Sequence, residues 1–176
     1  WTGRAGLTLV NAAPTFERLR QIKTPYEQLV LRRGVEVSSE AHIAGMRATR
    51  PGRWEYEVEA AIEHWFLKNG AMSPGYPSIV ASGPNATTLH YLKSTRQMQA
   101  GDLLLVDAAG NFQGLTGDIT RTSPVSGRFT PAQRALYDLV STALDAGIAA
   151  ARPGGTVQAI EQAVRASLGR GLLDLG

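Results

Sequence analysis

Two aspartates, Asp107 and Asp118, stand in a predicted β-hairpin at a spacing that points to metal chemistry. Asp107 ends the apolar run at residues 103–106, where a buried carboxylate is costly unless it is paired, hydrogen-bonded or bound to a metal. If the strands turn through residues 111–114, residue 110 pairs with residue 115 and Asp107 lies directly across from Asp118. A tighter turn at residues 110–111 changes the register by an even number, so both side chains still share a face without being adjacent.

Two opposed carboxylates about 5 Å apart repel each other, so this arrangement predicts a divalent cation or a shared proton between them. Oxygen ligands favour a hard or borderline cation such as Mn, Mg or Ca, with Zn as an alternative. The other interpretation is that Asp107 caps a turn and Asp118 lies in a Gly117-Asp118 turn, both in solvent. The spacing by itself leaves both interpretations open.

His90 is the third candidate for chemistry. It lies in a predicted loop beside Tyr91, 17 residues before Asp107, where an imidazole could donate a hydrogen bond to a reacting carbonyl oxygen. The alternative is an ordinary structural or surface histidine. His42 and His64 fall within predicted helices, with no acidic or metal-binding partner at a suggestive spacing, and we interpret both as structural.

Capping signals and apolar spacing predict four helices that must position these residues. Thr24, Pro25 and Glu27 occupy the Ncap, N1 and N3 positions, where the threonine and the glutamate satisfy free backbone N–H groups and the proline has none to lose. A stripe of mostly small side chains along this helix would let it lie close to a sheet: Val30, Gly34, Val37, Ala41, Ala44 and Ala48. The predicted helices run from Thr24 to the break at 51–52, over 54–68, from Thr130 to the break at 153–155, and from Thr156 to Gly169 and Gly171.

The β-type segments lie between the two helix pairs. A short run at 78–81 precedes an irregular loop at 85–91, and strands are predicted at 103–107 and 115–125. The order helix, helix, hairpin, helix, helix predicts an α+β fold in which helices cover one face of an antiparallel sheet. Residues 1–22 show no sustained period and are interpreted as a lead-in segment.

Composition excludes several function classes. The 176 residues carry 18 Lys+Arg against 15 Asp+Glu, with no cysteine, so there is no disulfide framework and no thiolate zinc site. No block of like charges marks a nucleic-acid arm, and no apolar run reaches the roughly 18 residues of a membrane span. The sequence therefore predicts a cytoplasmic protein without nucleic-acid or membrane partners. Because it starts at Trp1 and stops at Gly176 after an apolar segment, we expect a fragment; a processed small domain is the alternative.

Three motifs surround the candidate residues: PSIVASG at 77–83 before LHY at 89–91, GDLLLVDA at 101–108, and GDITRT at 117–122. Together they resemble the aminopeptidase P (Xaa-Pro aminopeptidase) family of the creatinase/prolidase/methionine aminopeptidase superfamily, metallopeptidase family M24. The similarity runs from about residue 19 to the end and includes FTPAQR at 129–134. It implies the pita-bread fold, in which two αββ halves surround a dinuclear metal centre, with residues 23–176 as the N-terminal half of the catalytic domain.

The resemblance also implies a metal-dependent aminopeptidase that releases the N-terminal residue from peptides with proline in the second position. Asp107 would chelate one of two divalent metal ions and Asp118 would bridge both, with manganese expected and zinc or cobalt as alternatives. A hydroxide bridging the two metals would attack the carbonyl before the proline. His90 matches the family histidine that contacts this carbonyl, and Thr120 would be a partner of the ligands. Family members commonly form dimers or tetramers, so a homo-oligomer is expected.

The sequence departs from the family pattern in its second part. The family needs one histidine and two glutamates from the second half of the domain, whereas after Asp118 this chain has no histidine and only Glu161, on a predicted helix. The isolated chain is therefore predicted to be inactive. Prolidase, which cuts Xaa-Pro dipeptides with the same ligands, is the nearest alternative function, and a non-catalytic peptide- or protein-binding module is another. Creatinase-type hydrolysis is disfavoured, because that branch does without the metal and this hairpin has both aspartates.

Overall fold

The computed structural model describes residues 10–176 of the chain as an α+β structure. The helices are α1 (Ala13–Gln21), α2 (Pro25–Ala48), α3 (Glu55–Lys68), α4 (Pro131–Ala150) and α5 (Val157–Leu175), with a 3₁₀ helix at Gly83–Thr87. The strands are β1 (Ser73–Pro74), β2 (Ile79–Ser82), β3 (Leu103–Asp107), β4 (Gly110–Phe112), β5 (Leu115–Thr116) and β6 (Thr120–Pro124). They form two three-stranded antiparallel sheets, in the orders β1-β4-β5 and β2-β3-β6.

The predicted helix starts are confirmed by their caps. The Thr24 hydroxyl accepts the N–H of Glu27 at 3.3 Å, and the Glu27 carboxylate accepts the N–H of Thr24 at 2.7 Å. Thr130 and Gln133 make the same reciprocal pair at the start of α4. Because each cap satisfies two backbone groups that have no partner within the helix, these residues locate the helix starts from local chemistry alone.

α2 and α3 pack together and cover the sheets. α2 buries the small and polar face Gly34, Val37, Ser38, Ala41, His42 and Gly45, which contains much of the predicted stripe. α3 contributes Val58, Ile62 and Phe66 to the same core, and the sheet contributes Val80, Leu104 and Val106. The core therefore lies between this helix pair and one face of the strands.

The predicted register of the central hairpin is wrong by two residues. Phe112 pairs with Leu115, so that Asp107 faces Thr120 and not Asp118. The turn is Gln113-Gly114, with φ angles of 52° and 80°. Two central residues with positive φ are typical of the two-residue turns whose twist matches antiparallel strands. The Asn111 side chain supports this turn, since its Oδ1 accepts the Gly114 N–H at 2.9 Å.

The prediction of one continuous strand over 115–125 is also wrong, because residues 117–119 separate β5 from β6. On the partner side, residues 108–109 separate β3 from β4. The chain comes very close to α2 at this break: a Cβ on Gly117 would lie 2.6 Å from Cγ2 of Val35. A residue without a side chain is therefore required at position 117 for the hairpin to lie against α2.

Three further expectations need correction. Residues 13–21 of the predicted lead-in segment form α1, whose side chains are exposed, while its residues 1–9 lie outside the described part of the chain. The irregular loop predicted over 85–91 begins within the 3₁₀ helix. The fourth long helix does not stop at Gly169 or Gly171 but continues to Leu175. Gly171 lies against Leu139 of α4, so its missing side chain allows α4 and α5 to pack closely.

The α4–α5 pair buries little apolar surface in the described residues. Ala143 and Gly147 are buried on α4, but the larger apolar side chains of Leu136 and Val140 are 51% and 58% exposed. None of the helices between residues 10 and 176 combines the length and apolar character needed to cross a membrane.

The contact between α2 and α3 predicts how Gly45→Ala will behave. A Cβ at position 45 would lie 2.8 Å from Cγ1 and Cδ1 of the fully buried Ile62. Overpacking costs about 1–3 kcal/mol, whereas the gain in helix propensity is at most about 1 kcal/mol. We expect Gly45→Ala to lower the free energy of unfolding by about 1 kcal/mol in urea titrations.

Gly169→Ala is the matched control, because Gly169 lies within α5 and a Cβ there would meet no atom within 4 Å. This variant should raise the free energy of unfolding by about 0.5–1 kcal/mol. Equal stabilisation by both substitutions would contradict the close packing of α2 on α3.

Candidate metal centre

The two aspartates lie at the interruption of the hairpin. Asp107 is the last residue of β3 and is half-buried, whereas Asp118 lies between β5 and β6 and is exposed. Because Asp107 pairs with Thr120, Asp118 is displaced by two residues along the partner strand. Asp118 lies outside the regular ladder, so strand alternation does not set its direction; the proximity of the two carboxylates is shown by a side chain that contacts both.

A tyrosine hydroxyl joins the two carboxylates. Tyr76 Oη lies 2.6 Å from Oδ1 of Asp107 and 3.1 Å from Oδ1 of Asp118. A phenol has a single proton, so both carboxylates accept from the same donor. The hydroxyl therefore offsets part of the repulsion that two neighbouring negative charges create.

Sequence reasoning missed Tyr76. It stands between Gly75 and Pro77 in a segment whose turn-forming residues carry no periodic pattern, and it lies 31 residues before Asp107. The N–H of Gly75 donates to Ala109 O at 2.8 Å, and Gly75 packs against Thr116 so closely that a Cβ would overlap it. These contacts hold the segment across the break in the hairpin. The pairing of β1 with β4 places Tyr76 here, and no local motif signals that pairing.

The surroundings keep Tyr76 protonated. Burial raises the pKa of the Tyr76 phenol above its usual value, and its hydrogen bonds to the two aspartates and their negative charges raise this pKa further. The hydroxyl is therefore a hydrogen-bond donor throughout the neutral range.

His42 holds the backbone next to Asp107. Its ring is buried, and Nε2–H donates to the backbone carbonyl of Ala108, the residue after Asp107, at 2.9 Å. Burial lowers the pKa of His42 and outweighs the opposite effect of the Ala108 hydrogen bond, so the ring is held neutral. Ser38 Oγ accepts the N–H of Gly110 at 3.0 Å. Two side chains of α2 thus fix the backbone that follows Asp107, in agreement with a structural role for His42.

The other candidate residues lie elsewhere. His90 follows the 3₁₀ helix on an exposed turn with a φ of 52°, and no hydrogen bond joins it to Asp107, Asp118 or Tyr76 within residues 10–176. Thr120 lies across from Asp107 in the β3–β6 ladder, with an exposed side chain and a carbonyl that accepts from Arg121. His64 is exposed on α3.

The donor set fits a divalent cation, but only in part. Asp107 and Asp118 offer hard carboxylate oxygens on one face, which suits Mn, Mg or Zn. Across the described residues, no group of three or more histidine, aspartate or glutamate side chains is placed to hold a metal ion. Glu161, the one glutamate after Asp118, is on α5 in an ion pair with Arg165. The described residues thus bring together two carboxylates, fewer than the four ligands that usually hold a zinc ion or the six or more of a calcium ion.

Known proteins of similar sequence include peptidases. The model of metallopeptidase family M24 matches residues 30–175 of the chain. The Xaa-Pro aminopeptidase of Escherichia coli (strain K12) is 41% identical over 172 residues, which are 98% of this chain and 39% of that protein. The Xaa-Pro aminopeptidase of Haemophilus influenzae is 42% identical over 169 residues, covering 96% of this chain and 39% of that protein. The chain spans about two-fifths of the length of these curated relatives.

Solved structures of similar proteins agree. Proline aminopeptidase P II from Yersinia pestis is 42% identical and has a TM-score of 0.94, covering 98% of this chain and 40% of that one. The zinc-substituted aminopeptidase P of E. coli, in complex with product, is 41% identical with a TM-score of 0.92, covering 95% of this chain and 38% of that one. These likenesses confirm the predicted α+β fold of the pita-bread type and the resemblance to Xaa-Pro aminopeptidases.

The shared hydroxyl predicts the effect of Tyr76→Phe. Without it, both carboxylates lose a donor and face each other's charge. Because hydrogen bonds to charged groups are worth about 1.5–3 kcal/mol, we expect a loss of about 2 kcal/mol in free energy of unfolding in the presence of a chelator. Differential scanning calorimetry of metal-free protein provides the measurement.

Tyr26→Phe is the matched control, since the Tyr26 hydroxyl donates to the neutral Oε1 of Gln113 at 2.7 Å on an exposed surface. This variant should change the free energy of unfolding by at most about 0.5 kcal/mol. Equal, small effects of the two substitutions would contradict the role assigned to the Tyr76 hydroxyl.

Proposed function

The chain belongs to metallopeptidase family M24, and from that premise we propose that the protein containing it is a metal-dependent Xaa-Pro aminopeptidase. It would release the N-terminal residue of a peptide whose second residue is proline. The observation that carries this proposal is the convergence of Asp107 and Asp118 on one hydroxyl, in a chain 41% identical to the E. coli Xaa-Pro aminopeptidase.

Asp107 and Asp118 are the residues that would hold the metals. We propose that Asp107 and Asp118 would together hold two divalent ions, manganese in the first place. When bound, such ions polarise a carbonyl oxygen and lower the pKa of bound water toward neutrality. Residues 23–176 are, in this proposal, the N-terminal half of the catalytic domain.

Three other residues orient the carboxylates, fix the backbone and donate a hydrogen bond to the substrate. Tyr76 keeps its proton and orients the two carboxylates through one hydroxyl. His42 fixes the backbone carbonyl of Ala108, the residue after Asp107, through a hydrogen bond. His90 would donate a hydrogen bond to the substrate carbonyl oxygen, where negative charge develops as the peptide bond is attacked. Its exposed position in a turn leaves the ring accessible to a peptide.

We also propose that the isolated 176-residue chain is inactive. Two carboxylates do not complete the coordination of a catalytic metal pair, and Glu161 is engaged with Arg165 on α5. The proposal further includes a homo-oligomer, dimer or tetramer, and a cytoplasmic location. Light scattering of the full-length protein would measure the first of these.

Substitution of the ligands in the full-length protein tests the metal site. Asp107→Asn and Asp118→Asn should each lower kcat/KM on a tripeptide with a second-position proline at least about a hundredfold, because loss of residues around a metal already costs 10–100-fold. Mass spectrometry after dialysis should find about two metal ions per chain in the unsubstituted protein and fewer in each variant.

Asp138→Asn is the control, since Asp138 pairs with Arg134 on the exposed surface of α4. It should leave activity and metal content unchanged. Cleavage restricted to Xaa-Pro dipeptides would indicate a prolidase instead. A full-length protein that purifies without metal and cleaves no peptide would indicate a binding module and refute the proposal.

A separate experiment tests the isolated chain. The purified 176 residues with added manganese should give no turnover of a fluorogenic Xaa-Pro peptide, while the full-length protein under the same conditions is active. Turnover by the isolated chain at a rate within about tenfold of the full-length protein would show that two carboxylates suffice, against this proposal.

A further inference from the structure

Glu55 is a completely buried carboxylate that the candidate metal centre does not use. It is the first residue of α3, and none of its surface is exposed. An isolated buried charge is very costly, so a buried carboxylate persists only where hydrogen bonds or ions compensate it. The partners of Glu55 therefore show which part of the fold requires this charge.

All of its partners are donors from one segment. Oε1 accepts the N–H and the hydroxyl of Ser82, both at 2.7 Å. Oε2 accepts the Tyr91 hydroxyl at 2.9 Å and the N–H of Arg96 at 3.0 Å. The Asn85 side-chain amide donates to both oxygens, at 3.1 and 3.3 Å. Burial raises the pKa of Glu55, but these hydrogen bonds outweigh it and lower the pKa overall, so the group is ionised.

These donors enclose the turn that carries His90. Ser82 ends β2 and Arg96 lies beyond the turn, so the carboxylate ties the two ends of residues 82–96 together. Tyr91 is the direct neighbour of His90, and its hydroxyl reaches Glu55 from inside this segment. No hydrogen bond of the His90 side chain exists among the described residues, and its φ of 52° is one that residues other than glycine seldom adopt. The backbone on either side thus sets where the imidazole stands.

We propose that Glu55 is a positioning residue for His90: by holding Ser82, Tyr91 and Arg96 on one buried carboxylate, it fixes the turn that presents the imidazole to the substrate carbonyl. This inference rests on the role of His90 in the proposed function. Glu55 itself touches no substrate and acts through the turn alone.

A double-mutant cycle in the full-length, metal-loaded protein tests the proposal. Glu55→Gln places an amide donor against a ring of donors, so the turn loses its anchor. Because a misplacement of about 1 Å in a reacting group can cost about a hundredfold in rate, we expect kcat on an Xaa-Pro tripeptide to fall about 10–100-fold. In the His90→Ala background the same substitution should cost less than about threefold, since the group it positions is gone.

Tyr91→Phe is a milder second variant. It removes one donor and leaves the contacts of Glu55 with Ser82, Asn85 and Arg96, so the fold is retained even if Glu55→Gln does not fold. We expect a kcat lower by about three- to tenfold, with KM changed less than kcat, and again little effect in the His90→Ala background. Thermal unfolding of each variant separates these rate effects from loss of folded protein.

Glu63→Gln is the matched control. Glu63 is another α3 carboxylate and accepts the hydroxyl of Ser78, at the start of the β2 region, at 2.8 Å. Its effect on kcat should be the same with and without His90. If the losses in kcat from Tyr91→Phe and His90→Ala were additive, the positioning role of Glu55 would be overturned, while the proposed role of His90 would stand. Full activity of His90→Ala would overturn the proposed role of His90, and this inference with it.

Discussion

Repulsion between two carboxylates held on one face of the hairpin is the constraint around which the rest of the structure is organised. Asp107 and Asp118 share the Tyr76 hydroxyl, whose one proton offsets only part of their combined charge. Two close carboxylates with uncompensated charge destabilise a fold, but carboxylate oxygens are the ligands that a divalent cation binds. The break in strand pairing makes it possible, because Asp118 there lies outside the regular ladder.

The helices α2 and α3 fix the backbone around this break and around the turn that carries His90. α2 lies close to the break because Gly117 has no side chain that would meet Val35, and His42 of α2 reaches the carbonyl of Ala108. α3 performs the corresponding task for the other side of the site, since Glu55 holds both ends of the turn that carries His90. In both cases a buried polar side chain of a helix fixes backbone next to a residue proposed to act on metal or substrate. Loss of such a contact would move the functional group without removing it.

The sequence predicts those features that depend on local chemistry. Thr24 and Thr130 predict the starts of their helices because all the groups of a capping box lie within four residues. The apolar run before Asp107 predicts a strand by its composition. The register was missed because it depends on which residues adopt positive φ at the turn, and Gln113 is not a residue that signals this. Tyr76 and Glu55 were missed for another reason: their partners lie 27 to 42 residues away in sequence, and only the folded chain brings them together. The helix end predicted at Gly171 was wrong because a glycine that allows close packing cannot be told from one that ends a helix by sequence alone.

The proposed metal site is tested most directly by anomalous X-ray diffraction at the manganese edge from crystals of the full-length protein grown with manganese. We expect two anomalous peaks beside the break in the hairpin, at coordination distance from the carboxylates of Asp107 and Asp118. Peaks located elsewhere, or a fully ordered site with Tyr76 still shared between two metal-free carboxylates at saturating manganese, would contradict it.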